Sequence, residues 1–265
     1  MAEKRQDYWE RILTGNARGV AFMRGLMGAI PAGPRCKLCQ APFGQPGRGF
    51  VRLLGASQSP LNRRLCKMCL RSLHKKPGGA EVEVSILFAD VRGSTGLAER
   101  MSPEEFSRLI ARFYGAAANV IDDHDGLVDK FVGDAAVALF IPGFTGDDHA
   151  AAAVAAGRKL LEETGNASAD PGIPIGVGVH TGVSFVGTVG EGDAVDFTAL
   201  GDTVNAAARI ASMAAAGELL VSEMTADAAR LDTTGLERRT LELRGREKPV
   251  DVWVEAAREP VSATT

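Results

Sequence analysis

Two carboxylates and four thiols are the residues of this chain whose types and spacing point first to chemistry. Asp90 ends the apolar run Val84-Ser85-Ile86-Leu87-Phe88-Ala89, and Asp134 closes Asp129-Lys130-Phe131-Val132-Gly133-Asp134, 44 positions later. Carboxylates held at neighbouring strand ends bind hard divalent cations through oxygen, as enzymes do when they hold Mg²⁺ against a triphosphate. Taken singly, each has a plainer reading: Asp90 caps a helix beginning near Ser102, and Asp134 makes a turn. The thiols form two pairs, Cys36-Lys37-Leu38-Cys39 and Cys66-Lys67-Met68-Cys69, with 26 residues between the inner cysteines. Two Cys-x-x-Cys knuckles offer four thiolates, which match tetrahedral Zn²⁺. Rubredoxin-type iron, an iron–sulfur cluster and a redox-active dithiol use similar ligands.

The elements that must position these groups are legible from hydrophobic patterning. Val84 to Ala89 reads as a buried strand, and Ala135 to Phe140 as the returning strand of a hairpin. Ser102-Pro103-Glu104-Glu105 starts a helix: Ser caps it, Pro fits its first turn, and Glu lies three residues after the cap. Phe106, Leu109, Ile110, Phe113 and Val120 give that helix its buried stripe. An Ala-rich helix follows Asp147-Asp148-His149 and runs to about Glu163. Pro174 to His180 and Val183 to Val189 are expected as two strands around Thr181-Gly182, with glycines that allow close approach of backbone or ligand. Thr203 to Ala214 reads as a helix and Glu218 to Ser222 as a strand, and two late strands flank Gly245. The order β-α-β-β-α-β predicts an α+β sandwich, a central sheet with helices over one face.

Charge divides the chain. Residues 1–79 contain 15 Lys+Arg and 3 Asp+Glu, a net of +12, whereas the remainder has 15 against 30, a net of −15. The division predicts a basic N-terminal module over 1–79, a second domain over 80–258 and a disordered tail over 259–265, with Lys75-Lys76-Pro77-Gly78-Gly79 as the linker. Tyr8, Trp9, Ile12 and Leu13 follow helical spacing up to Gly15-Asn16, and a second helical piece spans Ala17 to Ala29 before Pro31. Both are expected to pack on the body or a partner subunit in preference to an anionic membrane surface. Basic charge would permit nucleic-acid binding, but only Phe43 and Phe50 stand between the knuckles to stack on bases, so that partner is not favoured. No run of 18 apolar residues exists, and the expected location is cytoplasmic.

Phe88-Ala89-Asp90-Val91-Arg92-Gly93-Ser94-Thr95, Lys130-Phe131-Val132-Gly133-Asp134 and Leu200-Gly201-Asp202-Thr203-Val204-Asn205-Ala206-Ala207-Ala208-Arg209 together resemble the class III nucleotidyl cyclases, over roughly Glu81 to Glu255. The resemblance implies a ferredoxin-like catalytic core and a head-to-tail homodimer with sites at the subunit interface. In this family the ribose 3′-hydroxyl attacks the α-phosphate and pyrophosphate leaves, with two Mg²⁺ or Mn²⁺ ions per site. Asp90 and Asp134 match the two metal-binding aspartates, with the Val91 backbone beside them. The turn Val91, Arg92, Gly93, Ser94 and Thr95 would offer N–H groups to the phosphates. Asn205 and Arg209 match the pair that orients the ribose and meets developing phosphate charge.

Base selection falls to two positions. Lys130 matches the lysine that reads adenine N1 in adenylate cyclases, where guanylate cyclases tend to carry Glu. Its usual partner is Asp, and Thr198 stands there instead, as in a branch many of whose members respond to bicarbonate. A Thr hydroxyl can accept from the adenine amino group, without the charge; Asp196 lies two residues away. Ser94 stands where the family often has Phe. Arg244 occupies the place of a lysine that contacts the triphosphate. The resemblance thus implies an ATP-to-cyclic-AMP cyclase, with the four cysteines as a regulatory or dimer-organising zinc-ribbon module. A cyclase for GTP or a pyrimidine nucleotide remains open. So does a zinc-ribbon adaptor for nucleic acid or a protein partner built on a nucleotide-sensing cyclase fold.

Overall fold

Among the described residues, four helices precede the first strand: α1 (Ala2–Leu13), α2 (Arg18–Gly28), α3 (Arg48–Leu53) and α4 (Lys67–Lys75). Next come β1 (Gly78–Val91), α5 (Ser94–Arg100), α6 (Pro103–Asp123), β2 (Leu127–Val132), β3 (Ala135–Phe140), α7 (Pro142–Thr145) and α8 (His149–Gly165). The chain ends with β4 (Ile175–Glu191), β5 (Ala194–Leu200), α9 (Asp202–Met213), β6 (Glu218–Ser222), α10 (Glu223–Ala228), β7 (Glu237–Leu241) and β8 (Val250–Ala256). This computed structural model describes residues 2–30, 33–59, 65–75, 77–165, 172–191, 194–243 and 248–256. Arg244 and the tail 259–265 lie outside the described residues. The chain forms two units, Met1–Glu83 with Ile141–Asp147 and Val183–Leu200, and Val84–Phe140 with Asp148–Gly182 and Gly201–Thr265.

In the second unit the strand order is β2-β3-β1-β4-β6-β8-β7. Strands β1 and β3 are antiparallel from Ser85↔Phe140 to Asp90↔Ala135, and β4 and β6 are parallel from Val177↔Leu219 to Val179↔Val221. Side chains alternate between the faces. Leu87, Val177, Leu219 and Val221 join Phe113 of α6 and Leu160 of α8 in one buried cluster. Leu220 and Val252 join Ala206 and Ile210 of α9 in another. Helices therefore cover both faces, where one covered face was expected. The architecture is the α+β sandwich that the element order predicts. Helix α6 begins as its sequence dictates: Ser102 Oγ accepts from the Glu105 N–H while the Glu105 carboxylate accepts from the Ser102 N–H.

The two strands expected around Thr181-Gly182 are one continuous strand, β4. Thr181 Oγ1 lies 2.7 Å from Ser85 Oγ, which is 2.9 Å from His149 Nδ1. This buried polar chain holds Thr181 in the sheet, so no turn forms at Gly182.

In the first unit, β4 continues as the partner of β5, antiparallel from Phe185↔Leu200 to Glu191↔Ala194; β5 is an element that patterning did not reveal. Gly78 and Gly79, expected in a linker, open β1 instead, and the Gly78 N–H donates to Thr188 Oγ1 at 2.9 Å. Helix α1 buries Trp9, Ile12 and Leu13. Gly143 of α7 permits that seat, because a Cβ there would stand 2.0 Å from the Ile12 carbonyl oxygen.

Candidate active site

The carboxylate pair is a product of strand register. Asp90 is the last β1 residue paired with β3, opposite Ala135, and the next N–H, of Val91, donates to the Asp134 carbonyl at 3.1 Å. The β2–β3 turn places Gly133 at φ 61°, a left-handed conformation suited to glycine. Burial pushes the Asp90 carboxyl above its usual range; the Arg92 guanidinium opposes this, and the neighbouring Asp134 carboxylate adds to it. Two hard oxygen donors held together at adjoining strand ends are a fitting site for a divalent cation. Asp90 and Asp134 would hold it.

Arg92 does not extend freely into the turn. Its Nη2 lies 2.5 Å from Asp90 Oδ1, and its Nη1 donates to the carbonyls of Ser212 and Ala214 at 3.0 and 3.3 Å. One side chain thereby joins the carboxylate to the C-terminal end of α9. The Arg92 N–H donates to the Pro174 carbonyl at 2.7 Å. Of the five turn amides expected to face phosphate, those of Val91 and Arg92 are therefore already spent within the fold. Gly93, Ser94 and Thr95 remain. They stand at the entry to α5, with Gly93 at φ 67°, where first-turn N–H groups have no intrahelical acceptor.

Asn205 and Arg209 lie four residues apart on α9, Asn205 exposed and Arg209 half-buried. The helix seats closely on β4. A Cβ at Gly178 would stand 2.4 Å from the Ala211 amide nitrogen, so the strand glycines mark close approach of backbone.

Lys130 is exposed on β2, with Nζ 3.4 Å from Asp129 Oδ2. Its hairpin is held by Tyr114, whose hydroxyl donates to the Gly133 carbonyl at 2.6 Å and whose ring stacks on Phe131 at 4.1 Å. Sequence reasoning missed Tyr114, although it follows Phe113 and lies four residues after Ile110 on the buried stripe of α6. A cavity of about 780 Å³ opens beside this hairpin, lined by Ser94, Thr95, Phe106, Ile110, Tyr114 and Asp134 among others. Thr198 belongs to the first unit, buried on β5 opposite Gly187. Asp90, Asp134 and Arg92 are thus gathered, Lys130 shares a hairpin with Asp134, and Asn205 shares α9 with Arg209.

The four cysteines, all buried, form one group in the first unit, with sulfurs within 4.8 Å of one another. Cys36 and Cys39 sit in a loop closed by the Arg35–Pro42 bridge. Cys66 and Cys69 stand at the first turn of α4, a helix that the knuckle spacing did not announce. The Cys66 N–H donates to Cys36 Sγ and the Cys69 N–H to Cys66 Sγ, both at 3.3 Å. Hydrogen bonds from Cys39, Cys66 and Cys69 hold the Cys36 thiol below its usual range, while Cys36, Cys39 and Cys66 push Cys69 up. Convergent sulfurs that receive backbone N–H bonds suit a thiolate-bound metal.

Residues 79–256 match the family model for the adenylate and guanylate cyclase catalytic domain. An uncharacterized Mycobacterium tuberculosis protein is 34% identical over 185 residues, 67% of this chain and 34% of that protein. The chain thus spans about a third of the length of the curated relatives it first matches. An adenylate cyclase of Anabaena cylindrica is 38% identical over 132 residues, 48% of this chain and 26% of its own length. Among solved structures, the guanylyl cyclase Cya2 aligns with a TM-score of 0.61 at 31% identity, covering 70% of this chain and 98% of that one. No helix among the described residues is long and apolar enough to cross a membrane.

Proposed function

Because the chain belongs to the adenylate and guanylate cyclase catalytic domain family, we propose that it converts ATP to cyclic AMP and pyrophosphate as a homodimer. The observation that carries the reading is the Asp90–Asp134 pair at adjoining strand ends, beside a turn whose remaining amides stand at the first turn of α5, where they have no intrahelical acceptor. Mg²⁺ or Mn²⁺ bound there would activate the ribose 3′-hydroxyl and steady the triphosphate. The amides of Gly93, Ser94 and Thr95 would hold phosphate oxygens, with Arg244 as a further phosphate contact. Asn205 would orient the ribose. Arg209 would meet the negative charge that grows on the α-phosphate oxygens as the leaving group departs.

Lys130 would donate to adenine N1, and the Thr198 hydroxyl would accept from the exocyclic amino group, as in the Thr-bearing branch of the family. The 38% identity with the Anabaena adenylate cyclase supports adenine, and the likeness to a guanylyl cyclase keeps GTP as the alternative. Domains of this family bind nucleotide and generally dimerise. Residues 1–79 would form a zinc-bearing regulatory module, 80–258 the catalytic domain and 259–265 a tail. Incubating the purified protein with each of the four NTPs, in Mn²⁺ and in Mg²⁺, tests the assignment. Cyclic AMP as the main product supports it; cyclic GMP reassigns the base, and no cyclic product refutes the activity.

A further inference from the structure

The first unit joins the cysteine group to the strand that carries Thr198, through contacts that neither group requires for itself. Trp9 is completely buried, and its ring stacks on Phe197 with centroids 6.1 Å apart and planes inclined by 22°. Phe197 in turn packs on Phe144 at 6.1 Å. Phe197 immediately precedes Thr198 on β5, so the two side chains project to opposite faces of one short strand. An aromatic ring locked between two others fixes the backbone that aims its neighbour.

The other end of this arrangement leads to both knuckles. Tyr8, edge-on to Trp9 at 6.2 Å, places its hydroxyl 3.4 Å from Ser72 Oγ of α4, the helix on which Cys69 lies. On the second path, Arg35, the residue before Cys36, donates from Nη1 to the Met27 carbonyl at 2.9 Å at the end of α2. Arg24 of α2 then donates to the Gly143 carbonyl at 2.7 Å. Gly143 lies against α1 and precedes Phe144. Both paths converge on the aromatic stack.

We propose that Trp9 is a positioning residue for nucleotide selection, tying the four-cysteine module to β5 so that metal occupancy of the cysteines sets the placement of Thr198. The proposal rests on the cyclase reading for its kinetic half alone. With the cysteines metal-bound, α4 and the Arg35 loop are rigid, α1 is held down, and Phe197 is clamped. With the metal lost, four buried thiols lose their common partner and both paths slacken.

Two measurements on the full chain test this. In the first, Trp253→Phe leaves Trp9 as the only indole, since the chain has 2 tryptophans. Stripping metal with a thiolate-competing chelator should shift Trp9 emission to the red, and stoichiometric Zn²⁺ should restore it. Emission that ignores both treatments overturns the tie, whether or not the protein is a cyclase. In the second, Trp9→Ala should lower the ATP-to-GTP ratio of kcat/KM about tenfold, chiefly through KM for ATP, with Trp9→Phe recovering most of it. An equal loss of turnover with both nucleotides would make Trp9 merely structural and overturn the proposal. Should Trp9→Ala fail to fold, Phe197→Leu, which keeps the indole, replaces it with the same expected ratio change. If the wild-type chain forms no cyclic nucleotide, the cyclase reading and this kinetic half fall together, while the emission experiment still decides the tie.

Discussion

The guanidinium of Arg92 bridges an Asp90 carboxylate oxygen, 2.5 Å away, and the Ser212 carbonyl oxygen, 3.0 Å away, at the end of the helix bearing Asn205 and Arg209. Arg92 should therefore matter to turnover without touching substrate. Arg92→Ala is expected to lower kcat at least about tenfold. Arg92→Lys should recover part of it, because an ammonium reaches the carboxylate but lacks the fork that serves both ends. Steady-state kinetics on the two variants, with melting curves alongside, check this; wild-type kcat in Arg92→Ala would show that the bridge is dispensable.

Removing either carboxylate should abolish catalysis and leave a folded dimer. For Asp90→Ala and Asp134→Ala, residual activity above about a tenth corresponds to less than about 1.4 kcal/mol of barrier. That is too little for the loss of a metal ligand, and such a result would argue against ligation.

Lys130→Glu tests the adenine assignment. The carboxylate cannot donate to adenine N1, so ATP turnover should fall strongly, and GTP turnover should fall less or rise. Unchanged ATP kinetics would return Lys130 to the role of an exposed charge beside Asp129.

The cysteine group should contain about one zinc or iron atom per chain by elemental analysis, lost in the Cys36→Ser, Cys39→Ser double variant together with a lowered melting temperature. A metal-free preparation with four reactive thiols and an unaltered melting point would sink the assignment.

Complementation addresses where each active site is assembled. Asp90→Ala and Asn205→Ala homodimers are each expected to be inactive. If the metal aspartates come from one subunit and Asn205 from the other, a mixed dimer collects both lesions in one site and none in the other. Co-expression with two tags should then yield up to about a quarter of wild-type activity in the unfractionated mixture. Doubly tagged dimers no more active than either parent would place both residues in one subunit's site.

How much of this could be read from the residues alone depends on how local the cause is. The Ser102–Glu105 capping box, the apolar runs on either side of Asp90 and Asp134, and the helix carrying Asn205 and Arg209 are set by neighbours within a few positions, and they appear where expected. The continuity of β4 depends on Thr181 meeting Ser85 and, through it, His149, partners 96 and 64 positions apart along the chain. No local pattern announces such a meeting. Strand β5 is short and carries Asp196, so its pairing with β4 is visible only in register. Local sequence places Arg92 in a phosphate-facing turn and hides its carbonyl partners, Ser212 and Ala214, which lie 120 and 122 residues away. Trp9 was legible as a buried helix position, but its partner Phe197 was not.

The bare backbone at Gly178 makes the height of α9 above β4 a dimension set by the absence of a side chain. A single added methyl would collide with the Ala211 amide, 2.4 Å from where its carbon would stand. Because Asn205 and Arg209 are carried on the same rigid cylinder, that methyl would lift or tilt both groups in concert. Gly178 is in this sense a gauge block: it calibrates how far Asn205 and Arg209 stand from the sheet.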